Sequence, residues 1–174
     1  MICLNEGNSS PAKDHFEGNL NALKSEVIAC IKKSYEEARD MNARAIIWSN
    51  EGLSFLRTNE EYKRLANLFR PYSSKQIAIL SIRDRHEFKI SWQKQLEKMG
   101  LAEENPDANS YKYLEDDSWI LDWSKRLPLL AQEFDQVKIW KYERYVAIKN
   151  FLELIGAGNL YDSSTTDEIL LNMT

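Results

Sequence analysis

From Leu20 to Met41 the apolar positions Leu20, Leu23, Val27, Ile28, Ile31, Tyr35 and Ala38 recur at helical spacing, with Lys, Glu and Asp between them. That period predicts a long amphipathic helix with one buried stripe. Ala45-Ile46-Ile47-Trp48 follows as a short uncharged run, the composition of a buried strand. Thr58-Asn59-Glu60-Glu61 reads as a capping box that opens a helix to about Phe69, and Pro71 breaks it because proline lacks the amide and biases its predecessor away from helix. Gln76 to Ile82 is rich in Ile and Leu and predicts a second buried strand, after which a helical period starts at Asp84 and carries Phe88, Trp92, Leu96 and Met99 on one stripe. Gly100 is the expected stop.

The stretch from Leu101 to Ser118 has no period, contains Pro106 and many acidic residues, and is of a length seen in lids, binding loops and mobile segments. Trp119, Ile120, Trp123, Leu127, Leu130 and Phe134 define a further helix that Pro128 should kink or break in two. Val137 to Tyr142 alternates apolar and polar residues, which predicts a strand with one wetter face. Arg144 to Ile155 is the last strong helix and closes at Gly156, while Ser164 to Glu168 carries another helix-start signature. Helices alternating with short strands place the chain in the α/β class, as a three-layer arrangement of a short, mostly parallel sheet of about three strands flanked by helices.

The domain division expected is a poorly ordered segment over 1–19, one α/β domain over 20–160 and a tail with a short helix over 161–174. A length of 174 residues suits one domain. A net charge of −4 argues against a general nucleic-acid binder but is compatible with a local basic pocket. No apolar run approaches the roughly 20 residues of a membrane span, and MICLNEGNSS lacks the regions of a signal peptide. Cys3 and Cys30 stand too far from His15 and His86 to suggest a metal site or a disulfide framework, so no metal is expected and a cytoplasmic setting is the default. His15 itself reads as a surface or helix-entry residue.

Candidate chemistry gathers where the strand over 76–82 ends. Arg83 would sit at the carboxyl end of that strand, with Ser91 eight residues later, about two turns into the following helix. Ligands of open α/β sheets bind at that edge, and a guanidinium there suits a phosphate held by a bidentate fork. The polar cluster Ser49-Asn50-Glu51 leaves the strand over 45–48 and would face the same edge if the two strands are parallel neighbours. The plain structural readings are that Arg83 is a solvated charge, Ser91 an ordinary helix residue and Glu51 a contact of the next helix.

A hydrophobic strand ending in Arg83, with Ser91 inside an aromatic-containing helix, resembles the 3′-phosphate-binding segment of sulfotransferases that use 3′-phosphoadenosine 5′-phosphosulfate. Ser49-Asn50-Glu51 looks like the Ser-Ser-Glu segment of bacterial sulfotransferase-like proteins. The order of strand, Tyr142-Glu143, helix, Phe151-Leu152 and Gly156 is similar to the late part of such chains. The resemblance spans roughly residues 20–160. It implies a P-loop NTPase-like fold, 3′-phosphoadenosine 5′-phosphosulfate as cofactor, Arg83 and Ser91 on its 3′-phosphate, and Glu51 as the base that deprotonates a hydroxyl or amine acceptor, a small molecule or glycan of unknown identity. The first strand of that fold and its Gly/Thr/Ser-rich turn, whose amides and Lys hold the 5′-phosphosulfate, have no match here: Gly7 and Gly18 stand apart and Lys13 follows no strand.

Three readings follow. The chain is the carboxyl-terminal portion of a sulfotransferase, an enzyme once the missing loop is supplied. Alternatively, it is a non-catalytic sulfotransferase-like scaffold that binds a ligand, a protein partner or a second copy covering an exposed sheet edge. The third is an unrelated small α/β domain with a coincidental spacing of Arg and Ser.

Overall fold

The protein is described by a computed structural model over residues 20–143 and 146–160, with side chains from Lys24 onward and that of Glu51 excepted. The expected disorder of 1–19, His15 and the tail helix from Ser164 all lie outside the described residues, as does Arg144. The described elements are α1 (Leu20–Asp40), α2 (Asn59–Phe69), β1 (Ile77–Ile82), α3 (Arg85–Lys98), α4 (Arg126–Glu133), β2 (Gln136–Lys141) and α5 (Ala147–Leu154), with short 3₁₀ turns at Glu51–Phe55, Trp119–Leu121 and Gly158–Leu160.

β1 and β2 pair in parallel, in a register running from Ile77 opposite Gln136 to Ile82 opposite Lys141. Side chains alternate between the two faces of such a ladder. Ala78, Leu80 and Val137 therefore share one face, where they pack with Leu56, Tyr62 and Leu65 around Leu130 of α4. Trp140 points the other way, its ring 5.1 Å from that of Phe151 on α5, and Lys138 donates from Nζ to the Leu154 carbonyl across the same face. Helices thus pack against both faces of the ladder, α4 on one and α5 on the other. The chain is a small α/β fold.

Local signals explain most element ends. Thr58 Oγ1 accepts from the Glu61 amide at 3.2 Å, while Glu61 Oε2 accepts from the Thr58 and Arg57 amides at 3.0 and 2.8 Å; Glu61 is only 1% exposed. Asp84 caps α3 by accepting from the Glu87 amide. Gly100, with φ of 68°, and Gly156, with φ of 79°, take the left-handed conformation that ends a helix without a Cβ penalty. Thr58→Ala should lower the unfolding free energy by about 1 kcal/mol, read as a shift of the urea midpoint at unchanged slope; an unaltered midpoint would mean that α2 holds its start by packing alone.

Residues 45–48 do not form the expected strand. Ala45 to Trp48 runs without regular structure, Ile47 is 54% exposed, and no backbone hydrogen bond ties this run to another described residue. Its anchor is a side chain: the Trp48 ring lies 5.4 Å from Phe69 and 6.3 Å from Tyr35. Aromatic packing between α1 and α2 overrides the strand propensity of a four-residue run. Among the described residues the sheet therefore has two strands rather than three. Pro128 falls in the first turn of α4, where its missing amide costs little, and the break expected in that helix lies just before it, between Leu121 and Arg126.

The stretch over 101–118 is irregular, as expected, but it is anchored. Tyr111 is fully buried at the centre of a second cluster with Phe55, Leu96, Ile120 and Leu121. Its carbonyl accepts from Trp92 Nε1 at 3.0 Å, and the buried Ser118 hydroxyl donates to the Tyr113 carbonyl.

Candidate functional site

The carboxyl end of the two-stranded ladder brings Arg83 and Tyr142 together, because both residues directly follow paired strands. The Tyr142 amide donates to the Ile82 carbonyl at 2.7 Å, extending the ladder by one bond. Above it the Arg83 guanidinium lies 5.4 Å from the Tyr142 ring centre, a cation–π distance. Arg83 Nε also donates to Glu87 Oε2 at 3.3 Å, one turn into α3, with the arginine side chain 33% exposed. The guanidinium is thus oriented by a carboxylate and an aromatic face.

Ser91 lies in the middle of α3 and is exposed. It stands beside the stripe of Phe88, Trp92 and Leu96, which is turned inward against Tyr111, Trp123 and Phe55. Glu51 opens the 3₁₀ turn Glu51–Phe55, where Asn50 Oδ1 accepts from the Gly52 amide at 2.8 Å. Among the described residues no strand precedes that turn, so Glu51 is not carried to the sheet edge in the expected way; the turn is instead inserted between the two cores, Leu53 packing into one and Phe55 into the other. The Glu51 side chain lies outside the described atoms.

The interior holds a further charge. Arg126 is 4% exposed, on the face of α4 that follows the Trp119–Leu121 turn. Its guanidinium carbon lies 5.0 Å from the Trp123 ring centre and 5.8 Å from that of Trp119, whose ring is also covered by Arg57 at 4.5 Å. Burial pulls the Arg126 pKa down from its ordinary value and pushes that of Tyr62 up. The Tyr62 hydroxyl donates to the Leu56 carbonyl at 2.9 Å. The sequence reading did not single out Arg126; the signal available was a charged residue within an apolar stripe, at spacings of three, four and seven from Trp123, Leu130 and Trp119.

Asp122, just before α4, holds its carboxyl well below the usual range, at about 2, because the Ser124 hydroxyl and then Lys125 donate to it. A lowered folded-state value gives stability that is present above the unfolded value, near 3.8, and is lost as pH falls toward 2. Asp122→Asn should flatten stability between about pH 4 and pH 2 by no more than about 1 kcal/mol, since the pair is solvent-screened; a variant with the wild-type acid profile would assign that slope to other carboxylates.

Comparison with family models, with curated proteins and with solved structures gave no match for this chain. Among the described residues no helix is long and apolar enough to cross a membrane, and no group of three or more His, Cys, Asp or Glu could hold a metal ion.

Proposed function

We propose that the chain is a sulfotransferase-like protein that binds the 3′-phosphate end of 3′-phosphoadenosine 5′-phosphosulfate at the carboxyl edge of its parallel ladder. One observation carries the reading: Arg83 stands directly after a parallel strand, one-third exposed and held between Tyr142 and Glu87, where α/β sheets take phosphate ligands. The guanidinium would bind the 3′-phosphate by charge and fork geometry, and Ser91, on the helix that follows, would donate its hydroxyl. In the complete reaction the acceptor oxygen or nitrogen bonds to sulfur, the bond from sulfur to the phosphate oxygen breaks, and Glu51 takes the acceptor's proton.

The deciding experiment is a calorimetric titration with adenosine 3′,5′-bisphosphate, the product nucleotide. Binding in the micromolar range, about −8 kcal/mol, is the expected result, and no heat from a folded chain overturns the proposal. Glu51→Gln should leave that affinity unchanged and reduce transfer to any accepted acceptor by about 100-fold, the lower range for loss of a general base; an unfolded variant would make Glu51 structural.

A second reading is favoured by the same ion pair. A guanidinium already matched to Glu87 needs no phosphate, so a non-catalytic scaffold that binds a protein or another ligand fits a chain that folds but shows no nucleotide heat.

A further inference from the structure

The Arg57 guanidinium, just before α2, meets the stretch over 101–118 at a single residue. Its Nη1 donates to the Asn109 carbonyl at 3.3 Å and its Nη2 to Asn109 Oδ1 at 3.4 Å, while Trp119 Nε1 donates to the same carbonyl at 3.3 Å. Three donors thus converge on two oxygens of one residue, and the guanidinium carbon lies 4.5 Å from the Trp119 ring centre. Two oxygens facing the two ends of a fork is the arrangement that a carboxylate presents to arginine. Asn109 supplies the oxygens without the charge, at distances long for a guanidinium, whose bonds to carboxylates run to about 2.7–2.9 Å. The surroundings are positive, since Arg126 lies 5.8 Å from the same ring centre. Glu61, whose carboxylate is close enough to accept from the Arg57 amide, is engaged in the capping box.

We propose that the Arg57 fork and Trp119 Nε1 form a surface site for the carboxylate of a small molecule, which Asn109 occupies as an internal stand-in that the ligand displaces. Asn109 is exposed, and all three of its bonds to the fork and the indole lie at the surface. Its turn is held from within: Asp107 accepts from the Asn109 amide through Oδ1 and from the Ser110 amide through its carbonyl. The turn can therefore move as a unit, and Asp107, the acid that would repel an incoming anion, leaves with it. Tyr111, two residues on, is fully buried, so the displacement ends there and the core stays closed. The site uses none of Arg83, Ser91 and Glu51 and stands or falls independently of the nucleotide reading.

The test titrates the whole nitrogen-15-labelled chain with sodium acetate against sodium chloride at matched ionic strength, and separately with acetamide. The readout is the indole N–H resonance of Trp119, assigned by its absence in Trp119→Phe. Acetate should shift that resonance saturably, and Asn109→Ala, which frees one end of the fork, should bind it about 3- to 10-fold tighter than wild type, because the occupied state no longer competes. Acetamide, alike in shape but neutral, should bind several-fold more weakly than acetate. Asn109→Asp, which holds a charged carboxylate at the same place, should lose the acetate response, and Arg57→Gln should lose it in every background. No saturable shift in Asn109→Ala overturns the site, as does an equal shift in Arg57→Gln, which would reduce the effect to general salt action. Equal acetate affinity in wild type, Asn109→Ala and Asn109→Asp overturns the role of Asn109 as occupant, and acetamide binding as well as acetate overturns the assignment to a carboxylate.

Discussion

Replacing Tyr111 with Ala should cost about 3–5 kcal/mol and lower the thermal midpoint by about 10 °C. The residue lies in a long irregular stretch, yet it is fully buried. Its ring meets Phe55 at 5.7 Å and Trp92 at 6.4 Å, and its backbone carbonyl holds the Trp92 indole N–H. Removing the ring leaves a void at the junction of α3, the 3₁₀ turn after Asn50 and the stretch over 101–118. Tyr111→Phe keeps the ring contacts and should retain most of the stability. Limited proteolysis separates two accounts of this stretch: if Tyr111 pins it, cleavage between 101 and 118 accelerates in Tyr111→Ala alone. If the stretch instead acts as a mobile lid, wild type and variant are cut at equal rates and the loss of stability is small.

That anchor shows where sequence reasoning reaches and where it stops. The capping box at Thr58, the helix stop at Gly100 and the strand read over 137–142, observed at 136–141, were legible because each depends on neighbours within a few positions: a hydroxyl and a carboxylate three apart, a glycine that tolerates φ of 68°, an alternation of period two. Ala45 to Trp48 failed for the opposite reason. Four uncharged residues specify neither face nor partner, and contact between Trp48 and Phe69, distant in sequence, decided the outcome. Tyr111 sits among polar neighbours, so no local period marks it as core. Of the candidate site, the placement of Arg83 at the carboxyl end of a strand followed from sequence, while the parallel neighbour expected over 45–48 proved to be β2 instead. Tyr142, the partner of Arg83, did not follow, because the register of two strands separated by a long crossover is fixed by the whole fold.

Arg83→Ala should weaken adenosine 3′,5′-bisphosphate by at least the value of one charge-assisted contact, about 1.5–3 kcal/mol or roughly 10- to 150-fold, which takes a micromolar ligand to the edge of calorimetric detection. Stability should change little, because the side chain is one-third exposed and its ion pair with Glu87 is on the surface. Glu87 sharpens the test. Its carboxylate holds the Arg83 fork at 3.3 Å, so an incoming phosphate must either displace it or share the guanidinium with it, and the two anions repel. Glu87→Gln removes that competitor while keeping a polar side chain of the same length, and should tighten the nucleotide several-fold, with the gain shrinking as salt is raised. In the double variant that gain should vanish, since there is no guanidinium left to release. A gain that persists without Arg83 would mean that Glu87 merely repels the nucleotide through the general field, and the phosphate would then have to be held elsewhere on the chain.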